Sequence, residues 1–264
     1  ACCLERFAGD NCVSSGFETH MTPDFAIAAP ILARNPQESK ILLASVERLA
    51  AHGPVFLADG GSIEGFTDRL SEFSDVQVQV TPGSGPRLLA QVRLALASAS
   101  ESGCSYILYT EPDKQWFFEN RLSAFLKFYS SQKTDVGIYV PARNPISFRT
   151  FPAGQQTPER LFNTLAAETL GAVQDYLYGP LLIRRDLIPY LEPIPADIGW
   201  GWRIFLLTIA CRLGMPLVPW EADLPCPIEQ RGEDDARSRT YRLEQMAQNV
   251  RGLALGRRYL LPSE

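Results

Sequence analysis

The chain has 264 residues, 45% of them hydrophobic and 21% charged, which is the composition of a folded globular protein and excludes a disordered or fibrous one. A formal net charge of −5, with basic residues scattered apart from pairs such as Arg184-Arg185 and Arg257-Arg258, supplies no field for a nucleic-acid partner. The longest apolar stretches, near 25–33 and 205–211, fall far short of the roughly 20 residues that a transmembrane helix needs. Residues 1–20 lack a basic start followed by an apolar run, so they read as a poorly structured leader and not as a secretory signal. Six cysteines, three of them (Cys2, Cys3 and Cys12) crowded near the start, have neither disulfide-scaffold density nor metal-finger spacing, which suits free thiols in a cytoplasmic protein.

From Asp24 onward, short apolar runs alternate with segments of helical period, the pattern of β-α units around a mainly parallel sheet. A strand is predicted over 25–32 and a helix over 39–51 with Ile41, Leu42, Val46 and Leu49 on one face. Strand 54–58 ends in Asp59-Gly60-Gly61-Ser62. A helix over 63–73, a strand over 76–80, a Pro-Gly-Ser-Gly turn and a helix over 87–100 come next. The buried strand 105–110 is expected at the centre of the sheet and delivers Glu111-Pro112-Asp113-Lys114 at its carboxyl end, where open α/β sheets hold ligands. A helix over 117–131, a strand over 136–140, a polar loop through Arg143-Asn144 and a helix over 158–170 are predicted beyond it. A strand or turn over 176–183, a helix opened by Gly199-Trp200-Gly201-Trp202, a strand over 216–220 and a helix over 239–255 complete the chain. One domain over 21–264 is expected, its loop at 141–158 separating a nucleotide half (21–140) from an acceptor half (141–264).

The sequence order puts two acidic clusters and one glycine-rich turn on the same carboxyl edge. Asp59 can accept hydrogen bonds from a base or ribose, with Gly60 and Gly61 allowing close approach; the competing reading is an Asx turn followed by a helix cap at Ser62. Gly83, Ser84 and Gly85 open a helix whose backbone N–H groups can face phosphate, with Arg87 as counter-charge. Glu111 and Asp113 can share one hard divalent cation (Mg²⁺ or Mn²⁺), Asp113 being the more important because Pro112 restricts the turn that presents it. The alternative is a solvated acidic turn in which Lys114 pairs with one of the two acids.

These motifs in this order resemble the GT-A-fold glycosyltransferases, of the family-two or glucosyl-phosphoglycerate synthase and mannosylglycerate synthase kind. The matching stretches are Ala29-Pro-Ile-Leu-Ala-Arg34, Ala58-Asp-Gly-Gly-Ser62, Pro82-Gly-Ser-Gly85, Thr110-Glu-Pro-Asp-Lys114, Gln174-Asp-Tyr-Leu-Tyr-Gly-Pro180 and Gly199-Trp-Gly-Trp-Arg-Ile204, spanning about 25–224. The resemblance implies a three-layer α/β/α sandwich and transfer of a sugar from a nucleotide-diphosphate donor to a hydroxyl on a small molecule or glycan, with a metal stabilising the departing diphosphate. It implies a donor site of Pro30, Leu32, Ala33, Asp59, Gly60, Gly61, Ser62, Gly83, Ser84, Gly85, Arg87 and Glu111, and an acceptor site of Gly179, Pro180, Trp200, Gly201 and Trp202. Asp197 is the first candidate base and Asp175 the second, each with pairing to a nearby arginine as its alternative. Trp200 and Trp202 suit stacking on a sugar face or, equally, the core. The chain departs from its relatives in three places: the paired acids are Glu-Pro-Asp, Arg203 stands where they carry an acid, and no histidine occurs beyond His52. Two other classes fit the fold: a nucleotide-sugar-binding protein without turnover, and a nucleotidyltransferase, whose Gly-Thr-Arg loop is replaced here by Ala33-Arg34-Asn35-Pro36.

Overall fold

The computed structural model describes residues 24–82, 88–132, 135–232 and 235–261; the expected leader lies outside them. In chain order the elements are β1 (Phe25–Ile31), α1 (Pro36–Ala50), β2 (Val55–Asp59), α2 (Phe66–Leu70), β3 (Val76–Val80), α3 (Leu88–Ser100), β4 (Tyr106–Tyr109), α4 (Gln115–Asn120) and α5 (Leu122–Ser130). Then follow β5 (Ile138–Arg143), α6 (Pro145–Phe148), α7 (Ala153–Leu170), β6 (Leu181–Arg184), α8 (Gly201–Arg212), β7 (Leu217–Ala222) and α9 (Ala236–Arg258). The strands form one seven-stranded sheet in the order β3-β2-β1-β4-β6-β5-β7, with only β6 antiparallel to its neighbours. β4 is therefore central, as the sequence predicts.

β1 and β4 are buried along their length, which is why they read as continuous apolar runs, whereas the edge strand β3 alternates Val and Gln and is largely exposed. One sheet face packs against α1, α2, α4 and α5 through residues such as Val46, Leu49, Phe66 and Phe125; the other packs against α3, α7 and α8 through Val92, Phe162, Trp202 and Phe205. This is the three-layer α/β/α sandwich. α8 is buried on every side over its first ten residues because α9 covers the face turned from the sheet.

Several predicted boundaries move for identifiable reasons. Asn35 caps α1 by accepting from the Glu38 amide (2.8 Å), with Pro36 in the first turn, so the helix starts before residue 39. Its buried face is Ser39, Leu43, Val46 and Leu49, while Ile41 is exposed. Ser62 caps no helix; α2 starts only after Gly65, whose φ of 76° breaks the run. The predicted helix over 117–131 is two helices, α4 and α5, split at Arg121, whose guanidinium donates to the Asp223 carbonyl (3.0 Å). The loop expected at Arg143 is the buried end of β5.

Candidate functional site

Parallel pairing sets Ile31 of β1 beside Asp59 of β2 and Ala28 of β1 beside Tyr109 of β4, so β2 and β4 end on one rim, two strand spacings or about 10 Å apart. Because β6 runs the other way, with Leu181 opposite Tyr109, its entry at Gly179-Pro180 lies on the same rim, next to Glu111. Gln91 of α3 ties the rim together, its amide donating to the carbonyls of Ile31 (3.0 Å) and Ala58 (3.1 Å).

Asp59 is 3% exposed, and its carboxylate accepts from the Gly61 amide (3.1 Å), the Ser62 amide and the Ser62 hydroxyl. Ser62 Oγ in turn accepts from the Ala33 amide (2.8 Å), and the Gly60 amide donates to the Ile31 carbonyl (2.9 Å). The carboxylate is thus occupied in an Asx-type turn that stitches the Leu32-Ala33 segment, beyond Pro30, to the Gly60-Gly61 turn. Gly83, Ser84, Gly85 and Arg87 lie outside the described residues.

A cleft of about 500 Å³ opens beside this rim. Its walls are the 111–114 turn, Trp116 and Phe117 of α4, Gln155 and Glu159 of α7, Leu177–Gly179, Trp200 and Arg203, the 225–232 loop, and Tyr241, Arg242, Gln245 and Asn249 of α9. Glu111 turns inward. Its Oε1 accepts from Arg203 Nη1 (3.4 Å), while buried Oε2 lacks a hydrogen bond of good geometry, with the Tyr109 hydroxyl nearby. Gly179 makes room for it: at φ 137° a side chain is disfavoured, and a Cβ would stand 2.6 Å from Oε2. Asp113 turns outward, its side chain 64% exposed, and receives Lys114 Nζ at 3.2 Å. Burial disfavours the Lys114 charge, but Asp113 and then Glu111 outweigh it and hold the ammonium above its ordinary value.

The residues expected to share a divalent cation do not fit one. Each is matched to a basic side chain of the chain itself, and a cation between the two acids would meet the like charges of Lys114 and Arg203. Among the described residues no three His, Cys, Asp or Glu side chains are placed to hold a metal together. Of the alternative reading, a solvated acidic turn in which Lys114 pairs one acid, the Lys114–Asp113 pair is found and Asp113 is solvated, but Glu111 is mostly buried.

The candidate bases are not in the cleft. Asp197 is exposed and accepts from Arg251 Nη1 (2.7 Å), which draws its carboxyl below the ordinary range. Asp175 is buried against Arg143, accepting from Nε (2.6 Å), Nη2 (2.8 Å) and the backbone amide (3.1 Å). Burial pushes the Asp175 carboxyl up, but Arg143 outweighs it and the value falls below the usual one. Trp202 is fully buried with its ring edge-on to Tyr109, centroids 4.6 Å apart, so it belongs to the core. Gly201 is where α8 crosses α9: a methyl there would strike the Gln248 carbonyl. Pro180 is buried at the start of β6. Gly179 and Trp200 do line the cleft; the Trp200 indole donates to the Tyr241 hydroxyl (3.0 Å), and Arg203 lies 5.2 Å over its ring.

The sequence reading missed the Arg143 cluster and the α9 wall. Arg143 is sandwiched between Phe148 (4.6 Å) and Phe151 (4.4 Å) and also holds Glu159 through Nη2 (2.6 Å). Burial pushes the Glu159 carboxyl up against the pull of Arg143, and Gln155 donates to its other oxygen (2.8 Å). The one available signal was the i, i+4 spacing of Gln155 and Glu159 on the helix after the loop. Nothing in the polar 236–258 segment distinguishes Arg242 or Asn249 from solvated residues.

A central β4 whose acidic turn faces the reversed strand β6, on a sheet of order 3-2-1-4-6-5-7, defines the GT-A fold of the glycosyltransferases. The chain is similar to glucosyl-3-phosphoglycerate synthase from Mycobacterium tuberculosis in complex with Mn²⁺, UDP and phosphoglyceric acid, at 14% identity over 90% of this chain and 80% of that one, TM-score 0.57. Against the same enzyme with Mn²⁺, UDP-glucose and glycerol 3-phosphate, the identity is 16% over 88% of this chain and 79% of that one, TM-score 0.55. Likeness at this identity is likeness of fold. The sequence matches no family model and no curated protein. No helix among the described residues is long and apolar enough to cross a membrane.

Proposed function

We propose that the protein is a glycosyltransferase that moves a sugar from a nucleotide-diphosphate donor to a hydroxyl of a small acceptor. The observation carrying this reading is the cleft on the carboxyl rim, where a buried Glu111 oxygen without a good hydrogen bond sits beside two cations, Lys114 and Arg203. Structures of the same fold hold UDP-glucose with glycerol 3-phosphate or phosphoglyceric acid. In the transfer, the anomeric C–O bond to the diphosphate breaks with its electron pair leaving on the nucleotide. The acceptor oxygen forms the new bond and its proton passes to a base. Among the cleft carboxylates, Glu159 has both oxygens engaged and Asp113 is paired outward, so Glu111 is the carboxylate this reading assigns to meet a ligand hydroxyl. The turn built by Asp59 presents its backbone to the nucleoside, and Trp200 with Tyr241 borders the acceptor.

Thermal-shift titration with UDP, GDP, UDP-glucose and GDP-mannose, followed by release of nucleoside diphosphate with glycerol 3-phosphate as acceptor, tests the reading. A raised melting temperature with at least one nucleotide sugar is expected, and no shift with any of them overturns it. A second reading, donor binding without transfer, is favoured by the engagement of Asp175 and Asp197 with arginines outside the cleft; stabilisation with no turnover selects it.

A further inference from the structure

We propose that this cleft holds the donor diphosphate without a divalent cation, with Lys114 and Arg203 supplying the positive charge; the inference rests on the nucleotide-sugar reading above. Arg203 is built in and not a solvated side chain. Its side chain is 8% exposed, Nη1 is fixed by the Gly179 carbonyl (3.1 Å) and Glu111, and Nη2 has no hydrogen bond among the described residues while the residue lines the cleft. A guanidinium anchored on one nitrogen with another N–H left over is prepared for an anion, since an arginine presents five donors and no acceptor. Lys114 also lines the cleft, with its ammonium 3.2 Å from Asp113 and its side chain only 26% exposed. A third cation at the cleft wall, Arg242, bonds the neutral Gln245 (2.9 Å), lies 5.9 Å over the Tyr241 ring and forms no ion pair among the described residues. A metal would have to displace one of these groups from its carboxylate. A diphosphate can instead take hydrogen bonds from Lys114 and Arg203 with neither acid losing its partner.

The test is calorimetric titration of UDP and of GDP into the full chain, once with EDTA and once with excess Mn²⁺. The better-bound nucleotide is expected to keep its affinity within about twofold between the two conditions. With EDTA, Lys114→Gln and Arg203→Gln are each expected to weaken it at least about tenfold, the scale of one hydrogen bond to a charged group, with Arg203→Lys retaining more than Arg203→Gln. Asp113→Asn is expected to tighten binding by freeing Lys114. Lys114 is partly exposed, so its variant reports even where a substitution at Arg203 disturbs folding. Binding that requires Mn²⁺ and is abolished by Asp113→Asn overturns the inference and leaves the nucleotide-sugar reading standing, as does affinity indifferent to Lys114→Gln. Failure of both nucleotides to bind in either condition overturns the reading and the inference together.

Discussion

Arg143 is the residue on which the wall behind the cleft depends, for its side chain is 1% exposed and pairs with two buried acids at once. Removing one partner of a buried ion pair leaves the other charge uncompensated, so Arg143→Met is expected to cost about 3–5 kcal/mol in urea unfolding. The pH dependence has a definite sign. Asp175 has a lowered folded value, so its contribution is present above the ordinary carboxylate value of about 3.9 and is lost as pH falls through the folded one. Glu159 has a raised folded value, so the stability it withholds at neutral pH returns as pH falls through that value. The urea midpoint is therefore expected not to fall between pH 7 and 5, rising where Glu159 takes up its proton, and to drop below about pH 4, with Asp175→Asn flattening the drop. Identical acid limbs in the two proteins would remove Asp175 from the account. The sequence conceals this cluster because a charged residue followed by Asn-Pro reads as a loop, and its partners lie 16 and 32 residues away. The Asp59 turn, by contrast, was legible, since Asp-Gly-Gly-Ser satisfies itself within four residues.

Among the elements, α8 and α9 depend on a pair of glycines. Gly201 and Gly252 meet where the backbones approach so closely that a methyl at either would strike a carbonyl of the facing helix. Gly201→Ala and Gly252→Ala are each expected to destabilise by about 1–3 kcal/mol as overpacking at an unyielding contact, read as a lowered melting temperature. Unchanged melting in both variants would show that the helices part without cost. The helical character of α8 was legible, but not its burial on every side. The role of α9 was not, because a mostly polar 23-residue helix offers no stripe that says which face is covered. The same difficulty hid the break between α4 and α5, which a contact with the Asp223 carbonyl imposes from outside.

At the scale of the whole molecule, alternating strand and helix periods were enough to give a parallel three-layer sandwich with β4 central, but the direction of β6 was not written in its apolar residues. That reversal places a strand from the second half of the chain between β4 and β5, so the two halves suggested by the 141–158 loop share one sheet. Far-UV and near-UV circular dichroism are expected to report a single coincident urea transition, and two separated transitions would mean independently folding halves. The shared sheet also fixes where the four tryptophans stand. Trp116 and Trp200 border the cleft, Trp202 is sealed in the core next to Arg203 in the chain, and Trp220 packs on Phe125 with centroids 5.4 Å apart. The protein consequently carries its own optical gauge: two indoles whose emission answers to whatever enters the cleft, and two outside its walls that supply a reference in the same spectrum.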